Sequence, residues 1–152
     1  MKKAIFGLAV LILIFGASCN KTPAGAGSWT FLGNTYYVTS CVGTNNYIAV
    51  TNSNNTNSTS FGSLTVFFPG TSLPTDSDIY TVVDTVPVGK QVTITTAIGG
   101  AADTAYTAIG AGQTITVAVS HGMISLSGSS IQMRNTSINP ATFPLTFNFH
   151  TN

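Results

Sequence analysis

The chain has 152 residues, the size of one domain, and a formal net charge of +1 from 5 Lys and Arg against 4 acidic residues, every one of them Asp. So few charges exclude a basic footprint for nucleic acid and a polybasic membrane patch. An aromatic content of 10% with only 6% charged residues also excludes disorder, which favours the opposite balance.

Lys2 and Lys3 precede an unbroken apolar run, Ala4 to Phe15 (AIFGLAVLILIF), and Gly16-Ala17-Ser18 lead into Cys19. A basic start, a short apolar core and small residues before a cut site predict a secretory signal peptide. The run is shorter than the ~20 residues a spanning helix needs. The segment resembles a bacterial lipoprotein signal at Ala17, Ser18 and Cys19, and departs from it at Gly16, where that family usually has Leu. The resemblance implies cleavage before Cys19 and a diacylglycerol on its thiol. Residues 1–18 are then the signal, 19–27 a flexible tether and 28–152 a single β domain. From Cys19 onward, three cations (Lys21, Lys90, Arg134) face four carboxylates (Asp76, Asp78, Asp84, Asp103), a net charge of −1. The tether lacks the acidic residues of surface-exported lipoproteins, so the expected location is the outer membrane, facing the periplasm. The alternative is plain secretion. Cys41 reads as a small buried hydrophobe, or as a reactive thiol if a base stands beside it. Without the lipid, a Cys19–Cys41 disulfide fits the oxidising envelope.

From Ser28 the pattern is β throughout. Trp29, Phe31, Tyr36, Tyr37 and Val38 flank Gly33-Asn34 and predict a tight hairpin. Tyr47 to Val50 is a further short run. Thr51 to Ser60 (TNSNNTNSTS) has no apolar anchor and reads as an exposed loop, with Asn52, Asn54, Asn55 and Asn57 as candidate ligand contacts. Leu64, Val66 and Phe68 alternate with Thr65 and Phe67 until Pro69-Gly70. Ile79 to Val83 is continuous enough to be buried on both faces. Val92, Ile94 and Thr96 alternate, Thr104 to Ile109 is a weaker strand, and Ile115, Val117 and Val119 share one side. His121-Gly122 turns the chain, Ile124 and Leu126 follow, Gly128-Ser129 reads as another turn, and Ile131 and Met133 come after it. Leu145, Phe147 and Phe149 close the pattern.

Alternation with turns every 8–12 residues or so predicts an antiparallel all-β domain, one face packed and the other rich in Thr and Ser. About ten short strands must stack or close. The expected fold is an antiparallel β-sandwich, Ig-like or jelly-roll-like. A closed up-and-down barrel is the alternative, because Gly27-Ser28-Trp29 resembles the opening of lipocalin-like barrels.

The inventory for chemistry is small. Asp76 and Asp78 lie in a Pro/Ser turn, where such residues bond their own backbone. No Gly-X-Ser-X-Gly elbow is present, and no Gly-rich segment leads into a helix to cradle phosphate. His121, Met123, Met133 and His150 are of the types that hold envelope copper. A turn at Gly128-Ser129 would set Met133 opposite Ile124 near His121 and send His150 roughly 16 Å away, so no coordination shell is expected. No cofactor and no metal are therefore expected. Asp84-Thr85-Val86 and Asp103-Thr104-Ala105 match the O-glycosylation triplet of some Bacteroidota envelope proteins, which marks Thr85 and Thr104.

The lipid signal, the opening SWTFLGNTY (Ser28 to Tyr36) and the terminal Thr/Val meander resemble small Bacteroidota lipoproteins of unknown function. That resemblance implies a location and no reaction. The expected function is a non-enzymatic, lipid-anchored envelope module that binds carbohydrate or protein, since hydroxyls, amides and aromatic faces suit both. A hydrophobic-ligand carrier in a barrel and a hydrolase with a composite site are the alternatives.

Overall fold

The computed structural model describes residues 26–52, 61–99, 104–135 and 141–151. They form an all-β fold of eleven strands. These are β1 (Gly27–Phe31), β2 (Asn34–Tyr37), β3 (Ser40–Thr44), β4 (Tyr47–Asn52), β5 (Gly62–Phe67), β6 (Asp78–Val82), β7 (Gln91–Ile98), β8 (Thr104–Ala108), β9 (Thr114–Ser120), β10 (Met123–Asn135) and β11 (Thr142–His150). Ala26 is buried and Gly27 already belongs to β1, so the domain begins slightly earlier than the composition of the tether suggests.

One hydrogen-bonded path runs β2-β1-β11-β10-β9-β6-β7-β5-β4-β3, with β8 joining β10 to β7. So long a sheet must coil, and its two halves face each other across one apolar core. The contact of Trp29 in β1 with Gly62 in β5 marks the closure. A Cβ on Gly62 would lie 3.0 Å from the Trp29 indole and 3.0 Å from the Tyr36 ring, so only glycine admits both rings there. The closed-barrel alternative is overturned. The ladder is open between β2 and β3, which are joined only by the short corner at Val38-Thr39. The sheet is also mixed, not purely antiparallel, because β6 and β7 pair in parallel at Thr81↔Gln91 and Val82↔Val92.

Alternation placed most side chains correctly. Val117, Leu126, Met133, Phe147 and Phe149 are buried, as is Ile124, while Val119 is half-buried. Each such side chain contributes ~1.5–3 kcal/mol by leaving water. Two readings fail. Ile79 is 59% exposed and Thr81 points outward beside it, so β6 has one buried face, not two. Gly128-Ser129 is not a turn. The strand continues from Met123 to Asn135 through a bulge between Gly128 and Ile131, where Ser130 adopts φ +56°. Gly128 is needed for contact, not for turning: a Cβ there would sit 2.7 Å from the Phe147 ring.

The bulge is also where β10 changes neighbours. Residues Met123 to Gly128 pair with β9, and Met133 to Asn135 pair with β8. The Gln113 side chain fills the gap between them. Its Nε2 donates to the Ser130 carbonyl at 3.0 Å and its Oε1 accepts from the Gln132 N–H at 3.0 Å. A side-chain amide thus stands in for a strand residue and satisfies backbone groups that the ladder leaves over.

Candidate functional site

In a chain this poor in charge, the position of each charged side chain is informative. The described residues hold five: Asp76, Asp78, Asp84, Lys90 and Arg134. Three of them, Asp76, Asp78 and Lys90, line one surface cleft of about 350 Å³, together with Phe68, Leu73 and Tyr80.

The fold assembles this cleft from local causes. Pro69-Gly70 stops β5, and Gly70 turns the chain with φ +77°. The segment that follows lays Leu73 over Gly43, where a Cβ would come within 3.2 Å of the leucine Cδ1. Ser77 then ties the start of β6 to β9, its Oγ accepting from the Val119 N–H at 2.8 Å. Along β6, Asp78, Tyr80 and Val82 share the inner side, and Asp78 and Tyr80 emerge at its open end. The parallel pairing of β6 with β7 sets the start of β7 beside the end of β6, at Thr81↔Gln91 and Val82↔Val92, so that Lys90 runs back along β6 toward Asp78. The Lys90 carbonyl accepts from the Thr81 N–H at 3.0 Å, and the lysine ammonium pairs with the Asp78 carboxylate.

The aromatic wall is Tyr80 set edge-to-face on Phe68, ring centroids 5.5 Å apart. Phe68 is buried and fixes the tyrosine ring. Asp78 uses both carboxylate oxygens: Oδ2 on Lys90, and Oδ1 accepting from the Ile79 N–H at 2.8 Å. The hydrogen bond from Lys90 and then that from Ile79 hold its carboxyl below the usual range. Burial first, and then the neighbouring Asp78 carboxylate, push the Tyr80 hydroxyl up, partly offset by Lys90. Asp76 is exposed and accepts one hydrogen bond, from Thr75 Oγ1 at 3.1 Å. The cleft therefore offers an ionised carboxylate–ammonium pair, a second carboxylate, a phenol and an apolar wall. A general acid for glycoside hydrolysis needs a raised carboxyl, the reverse of Asp78.

Asp78 at the edge of the cleft lies at the same level across the sheet as the start of β1. Asp78, Val117, Leu126, Phe149 and Gly27 are successive partners across five strands. At ~4.8 Å per strand that row spans about 19 Å.

The residues singled out from the sequence lie elsewhere. Cys19, Asn54, Asn55, Asn57 and Asp103 fall outside the described residues. Asn52 closes β4, is buried, and donates from Nδ2 to the Tyr37 carbonyl at 2.9 Å, which ties β4 to the end of β2. Thr85 is exposed in the connection between β6 and β7, beside exposed Asp84 and a Val86 that is 84% exposed. Thr104 begins β8, half-buried and paired with Ile98. Cys41 is fully buried in β3.

The predicted separation of the histidines is overturned. Because β10 does not turn at Gly128, Met133 lies at its far end, paired with Phe143 and Ala108. His150 pairs with Ser125, close to the His121 turn. His121 takes φ +51° in that turn, and its Nδ1 lies 2.9 Å from Ser120 Oγ. Among the described residues, no three His, Cys, Asp or Glu side chains gather in a metal-holding group. Lys90 is the residue of the cleft that sequence reading missed, since nothing local links it to Asp78. No family model, no curated protein and no solved structure matches this chain.

Proposed function

We propose that this protein is a non-enzymatic, lipid-anchored module of the bacterial outer membrane, facing the periplasm, that binds carbohydrate in the Phe68–Tyr80–Lys90 cleft. The observation that carries the reading is the gathering of three of the five described charged side chains around one aromatic wall. Sugars present apolar C–H faces and rigid sets of hydroxyls. An edge-anchored aromatic ring suits the first, and a fixed carboxylate–ammonium pair, donor beside acceptor, suits the second. The remaining outer surface is Ser- and Thr-rich and supports solubility without adding charge.

Anchoring rests on the sequence up to Cys19. Replacing Cys19 with Ser should abolish labelling by a fatty-acid probe and release the protein from membranes. For the cleft, the full chain is titrated against a panel of glycans and envelope extracts. Tyr80→Ala and Lys90→Ala should each weaken glycan capture at least ten-fold while remaining folded at the temperature of the titration. Capture of protein alone, or glycan binding indifferent to both variants, would refute the reading.

A further inference from the structure

We infer that the ligand of this cleft carries a protonated amine, as a deacetylated amino sugar does; this rests on the carbohydrate reading above. The reasoning turns on which charges are already committed. Lys90 is matched by Asp78, whose charge it neutralises, and Asp78 takes one contact on each oxygen, from Lys90 and the Ile79 N–H. Asp76 lines the same cleft with no lysine or arginine against it among the described residues, its one hydrogen bond coming from Thr75 Oγ1. Arg134, the other described cation besides Lys90, lies toward the opposite end of β10, paired with Thr142 and Thr107. Two carboxylates against one ammonium leave the cleft with a net negative charge. A neutral sugar could donate hydroxyls to Asp76 but would leave its charge unmatched, and an acidic sugar would meet it as a like charge. An amine on the ring is matched: its ammonium meets Asp76 while the C–H face lies on Tyr80 and hydroxyls reach the Asp78–Lys90 pair.

The contact with Asp76 is open to water, so its contribution is modest and sensitive to salt. The test uses the full chain in mild detergent near pH 6, titrated with a β-1,4-linked glucosamine tetrasaccharide and with its fully N-acetylated counterpart. The amine form should bind about five-fold tighter, as expected for an exposed charge contact. That preference should vanish in Asp76→Asn and in half-molar salt, while the variant keeps its affinity for the acetylated form and its thermal midpoint. Equal binding of the two sugars, or a preference that survives Asp76→Asn, would overturn the amine inference and leave the carbohydrate reading in place. If neither sugar binds but another glycan in the panel does, the inference alone is overturned. If no glycan binds and a lysine-bearing peptide does, both are.

Discussion

Gly128→Ala tests the least expected feature of the sheet, the passage of β10 straight through a Gly-Ser pair. The added Cβ would lie 2.7 and 2.8 Å from two atoms of the Phe147 ring and 3.1 Å from Ile115 Cγ2. Both neighbours are rigid and buried, at 2% and 1% exposure, so neither yields cheaply. Overpacking of this kind costs ~1–3 kcal/mol. Alanine also restricts the unfolded chain, which offsets ~0.4–1 kcal/mol. The net expectation is a loss of about 1–2 kcal/mol. Phe147→Leu withdraws the ring atoms that clash. In the double variant most of the Gly128→Ala cost should disappear, giving a coupling of about 1–2 kcal/mol. Urea unfolding of the four proteins, with a common m-value, measures this. If Gly128→Ala is neutral and its effect adds to that of Phe147→Leu within ~0.5 kcal/mol, the ring does not lie on that backbone and the chain turns at Gly128 after all.

Gln113→Ala should cost ~1–3 kcal/mol in the same assay, because it strands the part-buried Gln132 N–H at the point where β10 changes partners, while the Ser130 carbonyl keeps the Gln132 side-chain amide at 3.2 Å. Asn52→Ala should destabilise by a similar ~1–3 kcal/mol through loss of the buried bond to Tyr37, whereas shortening residues 53–60 to a Gly-containing turn should cost under ~1 kcal/mol, since loop closure varies slowly with length. Equal effects of the two changes would refute this. The Asp78–Lys90 pair gives a signed pH dependence. Asp78 is held below its ordinary 3.8, so its contribution is present above that value and lost as pH falls through the lower folded value; Lys90 is raised above 10.5, so its contribution is present below that and lost as pH rises through the folded value. The gap in thermal midpoint between the parent protein and Asp78→Asn should therefore be level at neutral pH and close below about pH 4. A gap that persists unchanged to pH 2 would refute the pairing.

Side-chain parity is a local property of an extended chain, so the sequence alone determined the all-β class and most of the inward set. Trp29, Leu64, Val66, Ile94, Ile115, Val117, Leu126, Phe147 and Phe149 are apolar at every second position of their runs and buried in the structure. β3 escaped notice because Ser40-Cys41-Val42-Gly43-Thr44 puts only a cysteine and a glycine on its inner side. Partner choice was not legible, because which strand lies beside which depends on contacts between residues far apart in the chain. A glycine followed by serine looks the same at a turn and beneath a ring, and only Phe147, delivered by β11, decides the case for Gly128. The cleft follows the same logic. Asp76 lies in the bend before β6, as its turn composition predicts, whereas Asp78 is already the first residue of the strand. The meeting of Asp78 with Lys90 depends on the parallel β6–β7 pairing, which no local periodicity encodes, and that tertiary choice brings scattered charges into one candidate site.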